Sequence, residues 1–169
     1  MIETHPFGYF SPLKAKYLLL GSFTGKPEPG YDWFYASKRN KFWIILRQIY
    51  NRPLVTRSEK EQLFSDLSLA ISDIIYQCER RKGSNLDMNL VNIVYNVEAI
   101  EKLLATNPIE RIYFSSRFVE GRFKSKFKYL IHKYPHIELI TLPSPSPRYA
   151  AMTLEEKIRR YTQLLPRQH

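Results

Sequence analysis

Four short apolar runs punctuate the chain, at residues 17–21 (YLLLG), 71–77 (ISDIIYQ), 111–115 (RIYFS) and 137–142 (IELITL). Each gives way to polar or glycine-containing sequence, the pattern of a buried strand that emerges into a loop. Helical periodicity fills the intervals. Residues 40–50 place Phe42, Trp43, Ile45, Leu46 and Ile49 at helical spacing, and Ser58 to Glu61 reads as a capping box opening a helix that runs towards Leu69. Residues 97–105 form a third candidate. In the fourth, Phe123, Phe127, Leu130, Ile131 and Tyr134 make one apolar stripe while Arg122, Lys124, Lys126 and Lys128 face elsewhere. A second capping box, Thr153 to Glu156 (TLEE), starts a C-terminal helix that ends near Pro166.

Strands alternating with helices predict an α/β protein: a three-layer α/β/α sandwich around a central, mainly parallel four-stranded sheet. Ligands of such sheets bind beyond the carboxyl ends of the strands. The informative segments are therefore the loops at 21–40, 78–90, 115–121 and 143–150. With 169 residues the chain reads as a single domain over 1–169.

Charge narrows the function classes. Lys and Arg number 26 against 16 Asp and Glu, a net +10, and residues 111–169 carry +8 of it against +2 for residues 1–110. A polyanionic partner, with the basic face mainly in the last third, is the first expectation. The lone Cys78 excludes an intrachain disulfide and any multi-cysteine metal site, and reads most simply as a small core residue. No apolar run reaches membrane-spanning length and no signal-peptide pattern opens the chain, so the expected place is cytoplasmic and nucleoid-associated, with no membrane partner.

The loops hold the candidate chemistry. The first, GSFTGKPEPGYDWFYASKRN, sets Phe23, Tyr31, Trp33, Phe34 and Tyr35 near Lys26, Lys38 and Arg39, so that aromatic faces can stack on a base while cations reach phosphates. Trp33 and Phe34 serve equally well as a roof over the sheet. Gly21 to Gly25 offers a phosphate nest, yet the Gly-Lys-Ser/Thr of a P-loop is missing, which disfavours ATP. Asp73 lies inside an apolar run and needs a partner; pairing with or capping a neighbouring loop is its expected role, and general base the alternative. Arg80, Arg81 and Lys82 follow. In LPSPSPRYA three prolines stiffen a loop that presents Ser144 and Ser146, with Arg148 and Tyr149 behind them, a device for gripping a phosphodiester and pushing a side chain into a base stack. The alternative is a proline-rich turn with solvated serines. None of His5, His132, His136 and His169 falls in these loops or in metal-ligand spacing, and paired loop carboxylates are missing, so zinc deaminases, histidine hydrolases and two-metal nucleases are disfavoured.

GSFTG after the first strand, then YASKRNKFW, ISDIIYQCERRKGSNLD, IYFSSR and LPSPSP before a final helix resemble, in that order, the uracil-DNA glycosylase superfamily. The similarity is greatest to the hypoxanthine-DNA glycosylase branch, with mismatch-specific uracil glycosylases more distant, and it spans roughly residues 16–165. It implies a monomeric, monofunctional DNA N-glycosylase of base excision repair. Such an enzyme removes a deaminated base, hypoxanthine or uracil, from DNA by hydrolysing its N-glycosidic bond, with no metal and no cofactor. Phe23 stands where many members carry a water-activating Asn or Asp. The catalytic role then passes to Asn40, whose residue type is equally suited to capping the helix that follows. Phe23 and Thr24 would meet the base through backbone groups, Tyr35 would stack on it, and Ser115 and Ser116 would contact its edge. Ser144, Ser146, Arg148 and Tyr149 would hold the DNA, with Leu142 where the family's second motif commonly begins with His. Two other classes stay open: a nucleic-acid-binding module of the same fold without turnover, and an α/β enzyme acting on free nucleosides.

Overall fold

In the computed structural model, which describes residues 1–24, 32–81 and 86–168, two short strands open the chain, β1 (Ile2–Thr4) and β2 (Tyr9–Phe10). β3 (Tyr17–Gly21) leads to α1 (Phe42–Tyr50) and α2 (Arg57–Asp66). Three strands follow, β4 (Leu69–Asp73), β5 (Ile75–Arg80) and β6 (Leu90–Tyr95). The remainder runs α3 (Val97–Thr106), β7 (Arg111–Phe114), α4 (Arg117–Lys126), α5 (Lys128–Lys133), β8 (Glu138–Thr141) and α6 (Leu154–Leu164).

The main sheet has the order β2-β4-β3-β7-β8. β4, β3, β7 and β8 are parallel and correspond to the four apolar runs, while β2 adds an antiparallel edge, so the sheet is five-stranded and mixed rather than four-stranded. A second, antiparallel sheet of order β1-β5-β6 lies beside it. The run at 71–77 is therefore two strands. The ladder explains the division: Ile74 N–H donates to Gly21 O at 2.8 Å and Ile75 N–H to Ser22 O at 3.1 Å, after which the chain leaves β3 and pairs with β1 and β6.

Pleating sorts the side chains of β3 and β7 between two cores. Leu18, Leu20, Ile112 and Phe114 join Ile100, Leu103, Leu104, Val119, Phe123 and Phe127 on one face. Leu19, Leu69, Ile71 and Tyr113 join Trp33, Phe34, Phe42, Trp43, Leu63, Phe64 and Tyr161 on the other. Helices thus flank both faces of a mixed, mostly parallel sheet. Each buried Leu or Phe contributes roughly 1.5–3 kcal/mol relative to exposure. Three phenols tie the C-terminal segment down: Tyr50 donates to Pro166 O (2.7 Å), Tyr113 to Leu164 O (2.8 Å) and Tyr161 to Pro143 O (2.7 Å). Cys78 is enclosed in the first core, where burial pushes its thiol up to about 11.

Several helix boundaries differ from the expected ones. α2 is opened not by Ser58 but by Thr56, whose Oγ1 accepts from Glu59 N–H at 3.1 Å while Glu59 Oε1 accepts from Thr56 N–H at 2.9 Å. It ends at Asp66, because Ser68 adopts φ 56° to turn the chain into β4. The stripe 123–134 is split into α4 and α5 at Phe127 (φ −118°, ψ 26°), whose ring stacks on Phe123 at 5.2 Å. α6 starts as expected at Thr153, whose hydroxyl oxygen accepts from Glu156 N–H at 3.1 Å.

Candidate functional site

Parallel registry puts the ends of four strands side by side. Gly21 pairs with Asp73, Ser115 N–H donates to Leu20 O at 3.0 Å, and Leu142 N–H donates to Phe114 O at 2.8 Å. The chain therefore leaves β3, β7 and β8 for loops at one edge of the sheet, while β4 passes there through Ile74 directly into β5, so the loop expected at 78–90 is β5 in its first residues and follows the second sheet.

A buried polar knot occupies that edge. Asp73 Oδ2 accepts from His5 Nε2 at 2.6 Å and from Thr24 Oγ1 at 2.8 Å. His5 Nδ1 accepts from Phe7 N–H at 3.2 Å, which places the imidazole proton on Nε2, facing the carboxylate. Asp73 thus caps the loop carrying Thr24 and is held by a histidine 68 residues away in sequence. No histidine falls within the four loops themselves; His5 reaches their end of the sheet from elsewhere in the chain, because β1 pairs with β5 and carries it to the end of β4. The apolar setting of Asp73 announced that a partner was needed, but nothing local pointed to His5.

Gly21 lets the groups at this edge approach closely: a Cβ there would collide with Asp73 Oδ1 and sit 2.5 Å from the Tyr35 hydroxyl, so these side chains would have to shift. Tyr35 adopts φ 57°, unfavourable for a residue with a side chain, and lays its ring on Phe42 with centroids 4.3 Å apart. Its enclosed hydroxyl completes no well-formed hydrogen bond, with Ser115 the nearby side chain. Burial holds the phenol far above its ordinary value, the Asp73 charge adds to this, and Ser115 opposes it. On the neighbouring loop the Ser22 hydroxyl donates to Asp87 Oδ1 at 2.8 Å. Burial raises the Asp87 carboxyl, the Ser22 bond lowers it, and Asp73 raises it further.

The remaining candidate residues divide between this edge and its rim. Phe23 is half-buried, edge-on to His5 at 5.8 Å with the Arg80 guanidinium 5.5 Å over its ring, and Arg80 is itself paired with Glu3 at 2.7 Å. Ser115 is buried, and Ser116 caps α4 by accepting from Val119 N–H at 3.3 Å. Asn40 Oδ1 accepts from Phe42 N–H at 2.9 Å at the start of α1. Asn40 also lines a shallow depression with Tyr35, Ser37 and Lys38. Trp33 and Phe34 are core residues with no face free, Trp33 stacking on Trp43 at 5.9 Å. Leu142 is likewise core, 1 % exposed. Lys26, Tyr31, Gly25 and Lys82 lie outside the described residues.

The proline loop is braced from two sides. Ser146 N–H donates to Ser144 Oγ at 3.2 Å and Arg148 N–H to Ser146 Oγ at 3.3 Å, so both hydroxyl oxygens are used as acceptors within the turn. Lys41 N–H donates to Pro145 O at 3.1 Å, bonding the segment that carries Asn40 to this loop. From α6, Tyr161 reaches Pro143 O, and Lys157 Nζ donates to Ser146 O at 3.0 Å. Arg148 is exposed and Tyr149 half-buried. Among the described residues no group of three or more His, Cys, Asp or Glu is placed to hold a metal, and no helix is long and apolar enough to cross a membrane.

No family model matches the sequence, and no curated protein does. Among solved structures the chain is similar to the solution NMR structure of a "putative Uracil DNA glycosylase" from Methanosarcina acetivorans. The two are 16% identical over 97% of this chain and 99% of the other, with a TM-score of 0.65, a likeness of fold.

Proposed function

We propose that the protein is a DNA glycosylase that excises a deaminated base, hypoxanthine or uracil, from a flipped nucleotide. The observation that carries this reading is convergence: Thr24 and Tyr35 after β3, Asp73 at the end of β4, Ser115 after β7 and the proline loop after β8 meet at one sheet edge, with Lys41 bonding the Asn40 segment to that loop. The basic surplus of residues 111–169 suits a polyanion, and the chain shares its fold with the Methanosarcina acetivorans protein.

The chemistry asks little of a nucleophile. As the N-glycosidic bond breaks, its electron pair leaves with the base and the sugar becomes oxocarbenium-like; a positioned water adds to C1′ and loses a proton. Asn40 Oδ1 accepts one backbone hydrogen bond, which fixes the amide, and keeps a second lone pair for that water. Phe23 and Thr24 present backbone groups to the base, Tyr35 offers a ring face, and Ser115 and Ser116 offer hydroxyls at its edge. Ser144, Ser146, Arg148 and Tyr149 hold the phosphodiester and the vacated stack. Flipping costs a few kcal/mol and least at a mismatch, which biases the reaction to lesions.

The test is incubation with end-labelled oligonucleotides bearing uracil, hypoxanthine or xanthine, single-stranded and in each mismatch, followed by alkaline cleavage. A cleaved strand at one lesion is the expected result. Binding without cleavage across the set favours the second reading, a nucleic-acid-binding module of the same fold, for which the observation is that the Asn40 side-chain carbonyl already accepts from Phe42 N–H.

A further inference from the structure

Two lysines among the described residues are buried, and their surroundings differ. Lys60 is 6 % exposed and pairs with Asp32 at 3.0 Å, its ammonium 5.0 Å over the Trp43 ring. Lys157 is 4 % exposed, and no carboxylate lies within ion-pair distance of it among the described residues. Its contacts are neutral: the Ser146 carbonyl at 3.0 Å and the Tyr149 ring at 5.4 Å. Lys157 also sits in the second turn of α6, and side chains on a helix lean back towards its N-terminus, the positive end of the dipole. A cation enclosed there without an anion is costly, and burial accordingly depresses its pKa.

The turn in front of the ammonium supplies the complementary feature. Ser144 and Ser146 accept backbone N–H bonds on their oxygens, so their O–H protons are left to point elsewhere as donors, and Arg148 is exposed on the same turn. Two hydroxyl donors and a guanidinium with a buried positive charge behind them make a site for an anion.

We propose that Lys157 is the electrostatic backing of a phosphate site on the Ser144–Tyr149 turn, its charge left uncompensated in the free protein and neutralised when a phosphodiester docks. The inference rests on the nucleic-acid reading above and deepens it, by giving α6 a residue that acts through the proline loop. Lys157 is a positioning residue.

The test measures affinity for a duplex carrying a stable abasic-site analogue across a series of salt concentrations, for the wild type, Lys157→Gln, Lys157→Met and Lys157→Arg. Gln keeps an N–H donor for the Ser146 carbonyl but no charge, so it separates electrostatics from bracing; Met removes both. Expected are a logarithmic salt slope shallower by about one and an affinity roughly tenfold weaker at low salt in Gln and Met alike, with Arg restoring the slope. Met should also melt no lower than the wild type, since it removes a buried unpaired charge. A Gln variant with the wild-type slope overturns the proposal and leaves Lys157 a brace. A wild type without salt-dependent binding overturns the nucleic-acid reading and the proposal together.

Discussion

At the scale of single residues, one atom carries two duties in Asn40. Its Oδ1 holds the Phe42 N–H and, in the proposed reaction, orients water. Asn40→Ala should abolish base excision, leave DNA affinity nearly intact and lower stability by about 1 kcal/mol through the lost bond to Phe42 N–H. Asn40→Ser keeps an acceptor for Phe42 N–H on a side chain too short to hold the water as well, and should melt near the wild type while losing excision, so an excision assay on the two variants beside their melting curves separates chemistry from the structural bond. Unchanged turnover in Asn40→Ala would remove it from the mechanism. The reading of Asn40 as the helix cap is corrected: Lys41 is the N-cap of α1 and Asn40 precedes it, its Oδ1 accepting from Phe42 N–H, because the helix begins one residue later than its apolar spacing suggests. The role of His5 was not legible in the sequence, since its partner is 68 residues distant and only the pairing of β1 with β5 brings them together. Trp33 and Phe34 show a similar limit: an aromatic in a glycine-punctuated loop reads equally as a stacking surface or as core, and only packing against Trp43 and Phe64 decides.

Elements built on strong periodicity were predictable, and those defined by a partner were not. β3 coincides with its apolar run, and β7 and β8 lie within theirs, because both faces of these strands are covered and their composition says so. β1 and β2 are only three and two residues long, too short to show alternation, and β6 is half exposed. The break at Ile74 is invisible in ISDIIYQ, since an apolar run carries no mark of where it changes neighbours. For α2 two overlapping capping boxes compete, T-x-x-E at 56–59 and S-x-x-E at 58–61, and the first wins because Thr56 takes the extended conformation (φ −89°, ψ 157°) that a cap requires. Thr56→Ala should therefore cost about 1 kcal/mol in chemical denaturation. Ser58→Ala should stay within about 0.5 kcal/mol, as for a surface substitution away from any cap. The reverse order would reinstate the boundary read from sequence.

For the whole molecule, the folded state gathers buried groups whose charged forms it disfavours. Asp87 is raised by burial, so between its unfolded and folded pKa values the native state binds more protons and stability falls as pH rises. Asp87→Asn, which keeps an acceptor for Ser22, should raise the melting temperature at pH 7, and the gain should vanish below roughly pH 4, the ordinary aspartate range; a gain that persists in acid would point to another cause. At the other end of the scale stand Tyr50, Tyr113 and Tyr161, each raised chiefly by burial and each donating to a carbonyl of the segments at 143 and 164–166. Only a protonated phenol makes those bonds. With pKa values above the unfolded one near roughly 10, their stabilisation is full at neutral pH and is lost as alkali ionises the phenols of the unfolded chain. An alkaline titration followed by tyrosinate absorbance should accordingly show two populations among the 12 tyrosines. One would titrate smoothly and reversibly. The other would appear abruptly, together with loss of the near-ultraviolet circular dichroism, so that C-terminal anchoring can be watched through the colour change of its own side chains.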